Sequence, residues 1–360
     1  MKKLIFTLLT FGILLLVGCP TETGNGEGTK EPVSYDVKDI NYDTDHSECV
    51  MDIYRSADEV RPVVMLIHGG AWIKIVLPEM FSSFQPMLDE GLGRSKMVDF
   101  KDQFLNNGYH VVNVDYRLIN IVSPDETNYL DMLNDIKSAV QFLYDNSDDY
   151  KINTSKIVMY GYSAGAHLAE LYSYKVTNSP IPVSLCVGRA GPADFWNEDF
   201  RSCNIIGSFT NAAASTASSA FTPEMMKPMI AGLFNLPGDT SDDILENSFR
   251  YRLITHLLNI PADESNDLNA LITNTANESK INDVYPIYHA SANSPKTILL
   301  HGEQDELVPY SMATSLAEKL GTAKCTLITM PNSGHSLDDE RDSAKLADFN
   351  NNVLQAWQQL

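Results

Sequence analysis

The stretch Ile157-Val158-Met159-Tyr160-Gly161-Tyr162-Ser163-Ala164-Gly165-Ala166-His167-Leu168-Ala169 changes its pattern at a serine. The apolar run before the serine predicts a strand, and the residues after it predict a helix. A Gly-x-Ser-x-Gly sequence at such a junction puts the serine on a sharp turn that exposes its hydroxyl, and the flanking glycines leave room for that turn. Because the pentapeptide also occurs by chance, Ser163 needs partners from other loops before it can be a candidate nucleophile.

A glycine pair supplies the first partner. Val63-Val64-Met65-Leu66-Ile67 predicts a strand, and His68-Gly69-Gly70-Ala71-Trp72 follows it, where two adjacent glycines permit a tight bend with outward-facing amides. Loops of this pattern bind the oxyanion of a tetrahedral intermediate, together with the amide of the residue after the nucleophile. We therefore predict an oxyanion hole formed by Gly70, Ala71 and Ala164. The alternative is a plain turn at the end of a strand.

A carboxylate follows a later strand. Thr297-Ile298-Leu299-Leu300-His301 predicts that strand, and the loop after it presents Asp305 at its tip. We predict that Asp305 is the acid of a catalytic triad. Three other acidic residues compete, one of them nearer the strand and two in what reads as a helix after the predicted base: Glu303, Asp338 and Asp339.

A histidine between small residues follows the next predicted strand. Thr326-Leu327-Ile328-Thr329-Met330 precedes the loop Pro331-Asn332-Ser333-Gly334-His335-Ser336, and we predict that His335 is the base that activates Ser163. The order serine, aspartate, histidine differs from the orders in the chymotrypsin and subtilisin classes. Of the other candidates, His167 and His301 are expected to pack or to form hydrogen bonds instead, and His68 is part of the predicted oxyanion loop.

Strand-like and helix-like segments alternate through the chain. This rhythm predicts an α/β fold with a mostly parallel central sheet and helices on both faces. Strands are predicted around 53–54 and at 62–68, 109–115, 156–161, 183–187, 297–301 and 325–330, with crossover helices at 131–144 and 311–320.

The region from 196 to 283 breaks this rhythm, with Asn- and Asp-rich turns and a pair of methionines. We predict an inserted, largely helical region that forms a lid over the site, because insertions at the carboxyl edge of such a sheet often do so. The alternative is a surface excursion with no role. A smaller insertion is expected at about 74–99.

The N-terminus begins Met1-Lys2-Lys3 and continues as an apolar run to Val17 that is short for a membrane span. Residues 1–18 are therefore predicted to be a signal peptide. The ending Leu16-Val17-Gly18-Cys19 resembles the bacterial lipobox, which implies a lipid on Cys19 and a protein anchored to a membrane outside the cytoplasm, on its periplasmic or cell-surface face. An ordinary secretory signal is the alternative. Residues 19–33 have the composition of a flexible tether, and 34–360 are expected to form the folded domain.

The composition narrows the choice of partners. The chain has 360 residues, of which 44% are apolar, and a net charge of -21, which argues against nucleic acid as a partner. No Cys-x-x-Cys sequence occurs, so a zinc site is not expected. Four cysteines remain after Cys19, and whether they pair or stay as buried thiols is open at this point: Cys49, Cys186, Cys203 and Cys325. The oligomeric state is open as well.

Five segments together resemble the α/β-hydrolase carboxylesterases. They are His68-Gly-Gly-Ala-Trp72, Asp115-Tyr-Arg-Leu118, Gly161-Tyr-Ser-Ala-Gly-Ala-His-Leu-Ala169, His301-Gly-Glu-Gln-Asp-Glu-Leu-Val-Pro309 and Ser333-Gly-His335. The branch concerned includes hormone-sensitive-lipase-like and feruloyl-esterase-like enzymes, and the resemblance runs from about residue 35 to the end. Two features depart from the pattern: Ala71 replaces a third glycine, and the region 196–283 is longer than in a minimal esterase.

The resemblance implies a serine carboxylesterase that hydrolyses small or short-acyl esters through a Ser-His-Asp triad and an acyl-enzyme. It implies no metal and no organic cofactor. The sequence around Ser163 is also similar to that of arylformamidases and prenylcysteine methylesterases, so an amidase or formamidase is one alternative. Two further alternatives are a prolyl-oligopeptidase-like peptidase and a non-catalytic binding protein on a hydrolase scaffold.

Overall fold

A sheet of eight strands organises the part of the chain that the computed structural model describes. The described residues are 36–74, 93–120, 127–194, 197–202, 227–228, 231–232, 236–261 and 267–359. The predicted signal peptide at 1–18, the lipidation site Cys19 and the tether at 19–33 lie outside them. Strands β1 to β8 are Val37–Asn41, Val50–Tyr54, Arg61–Ile67, His110–Val114, Ile152–Tyr162, Val183–Arg189, Lys296–Gly302 and Cys325–Met330.

The strands lie in the order β1-β2-β4-β3-β5-β6-β7-β8. The first two pair antiparallel with their neighbours, and every pairing from β4 to β8 is parallel. The carboxyl ends of β5, β7 and β8 therefore lie along one edge, which is where the loops with Ser163, Asp305 and His335 begin. The α/β fold with a mostly parallel sheet is confirmed.

Helices cover both faces of the sheet, as predicted. Helices α1 to α11 are Lys101–Leu105, Tyr129–Asp145, Ser147–Tyr150, Ala164–Lys175, Glu198–Ser202, Asp242–Leu257, Leu268–Thr273, Glu278–Val284, Pro286–His289, Tyr310–Leu320 and Ser343–Gln358. Within the described residues, no helix is both long enough and apolar enough to cross a bilayer.

Strand β3 shows how the sheet is buried from both sides. Its side chains alternate, so that Val63, Met65 and Ile67 join one apolar cluster while Val64 and Leu66 join the other. The first cluster is completed by α2, α4 and α10, and the second by α1 and α11. A continuous apolar run in a short strand therefore reflects burial on both faces.

Two expectations from the sequence need correction. Strand β1 was not predicted, because it lies at the sheet edge with four of its five residues exposed and has no apolar run. Asp338 and Asp339 were expected in a helix, but both precede α11, and the Asp339 side chain instead caps a short 3-10 helix by accepting from the amide of Arg341. The other predicted strands and both crossover helices are confirmed.

The region 196–283 is helical where it is described, with α5 to α8 inside it. Its end is fastened to the sheet-covering helices: the Asp283 carboxylate accepts a hydrogen bond from the Tyr129 hydroxyl and lies 2.7 Å from Lys175 Nζ. The carbonyl of Val284 accepts from His167 Nε2 at 2.8 Å. This end of the insertion therefore packs against the helix that follows Ser163, while its action as a lid stays a prediction.

The described cysteines are buried free thiols: Cys49, Cys186 and Cys325. Cys186 and Cys325 lie on either side of Thr297 in register across three strands. Two strand spacings amount to about 9.6 Å, beyond the distance of about 7 Å that a disulfide can bridge between α-carbons. Those two cysteines therefore cannot pair, and Cys203 lies outside the described residues.

Candidate active site

Ser163 occupies a strained strand-to-helix turn. Its backbone angles are φ 54° and ψ -122°, and α4 begins at the next residue. A β-carbon added to Gly161 would lie 2.2 Å from the carbonyl oxygen of Gly165, and one added to Gly165 would lie 2.1 Å from that of Ile67. Both flanking glycines are therefore required by close backbone approach, as the sequence predicts.

The three predicted triad residues come together at the carboxyl edge of the sheet. Ser163 Oγ lies 3.0 Å from His335 Nε2, and His335 Nδ1 lies 2.8 Å from Asp305 Oδ2. The three side chains come from three separate loops after β5, β7 and β8. His335 is the most accessible of them, with 19% of its side chain exposed.

The competing acids do not reach the histidine. Glu303 and Asp338 are exposed, and the Asp339 carboxylate is held by its own neighbour Arg341. Only Asp305, among the described acidic residues, lies within hydrogen-bond distance of the His335 ring. The geometry therefore selects Asp305 as the acid of the triad, as its position in the loop after β7 predicted.

The Asp305 carboxyl is buried but ionised. Burial alone would raise its pKa. Attraction to His335 and hydrogen bonds from His301 and His335 lower the pKa by more, so it lies below its usual range. Its other oxygen, Oδ1, accepts from the amides of Leu307 and Val308 at 2.9 and 2.8 Å. An ionised carboxylate has no proton to donate. His335 Nδ1 must therefore carry the hydrogen of this bond, which leaves Nε2 of the neutral ring to accept from Ser163.

The predicted oxyanion loop packs directly on Ser163. A β-carbon added to Gly69 would lie 3.1 Å from that of Ser163. Gly70, Ala71 and Trp72 all have positive φ, at 103°, 51° and 62°, so the backbone bends away from β3 beside the serine. Ala164 opens helix α4, where amides have no partner inside the helix. The loop thus approaches the serine at Gly69, and the oxyanion hole of Gly70, Ala71 and Ala164 stays a prediction.

His68 anchors this loop from below. Its ring stacks on Tyr116 at 4.4 Å, and its Nε2 lies 3.4 Å from Asp115 Oδ1. The Tyr116 hydroxyl donates to the carbonyl of His68 at 2.8 Å, and Asp115 also pairs with Arg94 at 3.2 Å. His68 therefore supports the loop through packing and polar contacts.

His167 is a buried structural residue. Burial lowers the pKa of its ring from 6.5 to about 4, so the ring is neutral near pH 7. Trp72 meets the ring edge-on at 5.1 Å, and Nε2 donates to the Val284 carbonyl. His167 thus joins the oxyanion loop, the helix after the nucleophile and the end of the inserted region.

Sequence reasoning missed Arg189 and Tyr162. The Tyr162 hydroxyl donates to the carbonyl of His335 at 2.9 Å, and the Arg189 carbonyl accepts from the amide of Ser163 at 2.8 Å. The Arg189 side chain is buried, with its guanidinium carbon 4.3 Å from the centre of the Phe100 ring. An arginine that continues an apolar strand is the signal that could have found it.

One group of described residues has the chemistry of metal ligands: Asp43, Cys49 and Asp135. Arg117 already binds the Asp135 carboxylate through Nε and Nη2, at 3.0 and 2.7 Å. Burial raises the pKa of the Cys49 thiol to about 12, which disfavours the thiolate that a metal would need. These groups are satisfied by protein partners, and they lie apart from the triad.

The fold and the bonded serine, histidine and aspartate define the chain as an α/β-hydrolase. The chain belongs to the BD-FAE family, whose model matches residues 51–221 and 253–320, more than half of its length. A stretch of 119 residues is 40% identical to an AB hydrolase superfamily protein of Schizosaccharomyces pombe, covering 33% of this chain and 29% of that protein. The chain spans between 6% and 29% of the length of the curated relatives that it matches.

Solved structures share the fold over almost the whole chain. A truncated carbohydrate esterase from gut microbiota aligns with a TM-score of 0.53 and 17% identity, covering 91% of this chain and 99% of that one. A thermophilic esterase from Thermogutta terrifontis, with propionate bound, aligns with a TM-score of 0.53 and 16% identity, covering 89% of this chain and 92% of that one. At such identities the likeness establishes the fold.

Proposed function

We propose that the chain is a serine carboxylesterase that hydrolyses small, short-acyl esters. The observation that carries the proposal is the continuous hydrogen-bonded series from Ser163 Oγ through His335 to Asp305, at 3.0 and 2.8 Å. The neutral ring of His335 offers its Nε2 lone pair to the serine hydroxyl. That arrangement is the one needed to activate a hydroxyl that is a weak nucleophile on its own.

The reaction follows from these positions. His335 Nε2 takes the proton of Ser163 as Oγ attacks the ester carbonyl, and the carbonyl oxygen takes up the electron pair as an oxyanion. Collapse of this intermediate breaks the bond to the alcohol, which leaves with the proton from His335. Water then attacks the acyl-enzyme with His335 again as base, which releases the acid and restores the serine. Asp305 stabilises the imidazolium that forms in each half.

The oxyanion would be bound by the amides of Gly70, Ala71 and Ala164. The left-handed bend at Gly70 and Ala71, directly after the Gly69 that packs on Ser163, and the free amides of the helix that starts at Ala164 support this assignment. The amide of Ala71 is available whatever its side chain, so the missing third glycine does not weaken the site. One such donor typically contributes about 10²–10³ in turnover.

The names of the structural neighbours support ester hydrolysis. They include a carbohydrate esterase and an esterase that binds propionate. A three-carbon acid bound to one of these esterases favours short acyl chains for this protein as well. A panel of acetyl, propionyl, butyryl, feruloyl and long-chain esters would test that preference, and a rise of kcat/KM from acetyl to long chains would contradict it.

The proposal is tested by replacing Ser163 with alanine and following hydrolysis of p-nitrophenyl acetate and butyrate. We expect kcat to fall by about four orders of magnitude or more. Ser173→Ala is the matched control, because Ser173 lies on the same helix and its hydroxyl donates to the Ala169 carbonyl within that helix. Equal hydrolysis by the Ser163→Ala variant and the wild type would disprove the proposal, and activity on the matching anilides alone would favour the amidase alternative.

We also propose that the protein works outside the cytoplasm, held to a membrane by a lipid anchor at Cys19. Residues 196–283 are proposed to form a lid over its active site. Residues 1–19 support the anchor through their order of lysines, apolar run and cysteine. The hydrogen bond from His167, on the first turn of the helix after Ser163, to the carbonyl of Val284, which directly follows this region, supports the lid. Full-length protein should partition into a detergent phase, and Cys19→Ala should abolish that partition; equal partition of both would contradict the anchor.

A further inference from the structure

Two histidines share one oxygen of the Asp305 carboxylate. His335 Nδ1 lies 2.8 Å from Oδ2, and His301 Nε2 lies 3.2 Å from the same atom. The other oxygen is occupied by the backbone amides of Leu307 and Val308. The amides of its own loop thus fix one oxygen of the carboxylate, and the other oxygen faces two imidazole rings.

His301 is built into this position. It lies near the end of β7, is 1% exposed, and its ring meets that of Tyr310 edge-on at 5.9 Å. Its Nε2 also lies 2.8 Å from the carbonyl oxygen of Val308. A carbonyl and an ionised carboxylate can only accept, so Nε2 must carry a hydrogen. The Val308 carbonyl accepts it at 2.8 Å, and Asp305 Oδ2 lies 3.2 Å from the same nitrogen, within reach of the partial positive charge of that hydrogen in either protonation state of the ring.

We propose that His301 is a positioning residue of the triad. It attracts part of the negative charge on Asp305 Oδ2, and His335 therefore stays unprotonated to lower pH. The inference rests on the proposed function. A second donor at Oδ2 takes part of the negative charge that would otherwise stabilise the imidazolium of His335. It also keeps the carboxylate from turning away when His335 moves during the reaction.

Other groups around His335 act on it from different directions. Ser163 faces Nε2, Tyr162 lies against the ring at 5.4 Å, and Arg189 lies behind Tyr162 at 5.9 Å from that ring. Asp338 follows on the same loop and is exposed. None of these groups bonds to Asp305 Oδ2 within the described part of the chain, so their effects stay constant when His301 alone is changed.

The test compares His301→Leu with His301→Gln in full-length protein. Leucine removes the donor, whereas the glutamine amide can place an N–H near the position of Nε2. We expect His301→Leu to lower kcat about 10- to 100-fold with little change in KM, as for loss of a hydrogen bond to a charged group. The acid limb of kcat/KM should move to higher pH by about half a unit or more. His301→Gln should restore most of both.

A purely structural role would lower stability in both variants but leave the acid limb in place, and that result would overturn the inference. A second measurement needs no variant to fold. In wild-type protein labelled with ¹⁵N-histidine, His301 should show a protonated Nε2 from pH 5 to 9, and an unprotonated Nε2 would overturn the inference. If Ser163→Ala keeps full activity, the proposed function fails, while the ¹⁵N result still tests whether His301 carries an N–H at this position.

Discussion

The strained backbone at Ser163 leads to a prediction about stability that separates the turn from the chemistry. Ser163→Ala and Ser163→Gly both remove the hydroxyl and its bond to His335, so the difference between them reports the backbone alone. At φ 54° and ψ -122°, a residue with a β-carbon carries strain of about 1–3 kcal/mol that glycine does not carry. Glycine loses roughly 0.5–1 kcal/mol more conformational entropy on folding.

The strain that glycine avoids at position 163 exceeds its extra entropy cost, so glycine is the more stable residue there. We expect Ser163→Gly to be more stable than Ser163→Ala by about 1 kcal/mol in urea unfolding followed by circular dichroism. The control is Ala347→Gly, an exposed position inside α11 where glycine should be less stable by about 1 kcal/mol. The sign of the effect should therefore invert between the two sites. If alanine is the more stable residue at both, the turn is not strained, and the reasoning is refuted.

Three further predictions concern the loops and a buried acid. Asp305→Asn should lower kcat on p-nitrophenyl butyrate by about 10⁴, because one amide oxygen cannot accept both from the backbone amides and from His335; a loss under tenfold would contradict the assigned acid. Gly302→Ala should reduce kcat at least about tenfold, since its β-carbon would lie 2.2 Å from the carbonyl of Ser333 and push the loop of His335; unchanged kcat would show that the loop yields without cost. Burial raises the pKa of Glu170 from 4.5 to about 8, so the folded state holds a proton that the unfolded state releases, and stability falls as pH rises from about 4.5 to 8. Glu170→Gln should therefore gain stability over wild type between pH 5 and 8 in urea unfolding, and a gain equal at both pH values would rule this out.

The triad was predictable because each of its residues follows an apolar run with a readable end. β5, β7 and β8 are parallel strands of one sheet, and the polar residues in the loops after them had to meet at one edge of it. Chain order then distinguished the serine, the acid and the base. The same logic predicted that the loop after the neighbouring strand β3 approaches Ser163, which it does at Gly69.

The contacts that tune the site were beyond sequence reasoning. His301 was assigned to packing or hydrogen bonding, but its partner could not be named, since the approach of Nε2 to Asp305 depends on how the loop after β7 folds back. Arg189 and Glu170 are buried ionisable residues whose surroundings come from distant parts of the chain. Local pattern carries no information on which rings or carboxylates surround such a side chain.

Edge strands and loop ends set a second limit. β1 has an exposed pattern that resembles a loop, and it becomes a strand only because β2 offers it a free edge. The supposed helix at Asp338 and Asp339 begins later, at Ser343. Acidic residues before a helix favour both its first turn and its cap, so the boundary was ambiguous by a few residues.

Labelling with a fluorophosphonate tests the assignment of Ser163 as the nucleophile most directly. Folded full-length protein should take up one phosphonyl group, and mass spectrometry of its peptides should place that group on Ser163. The label should be absent from Ser163→Ala and strongly slowed in His335→Ala, because attack by the hydroxyl needs the base at 3.0 Å. A label on another residue, or one that persists in Ser163→Ala, would contradict the account.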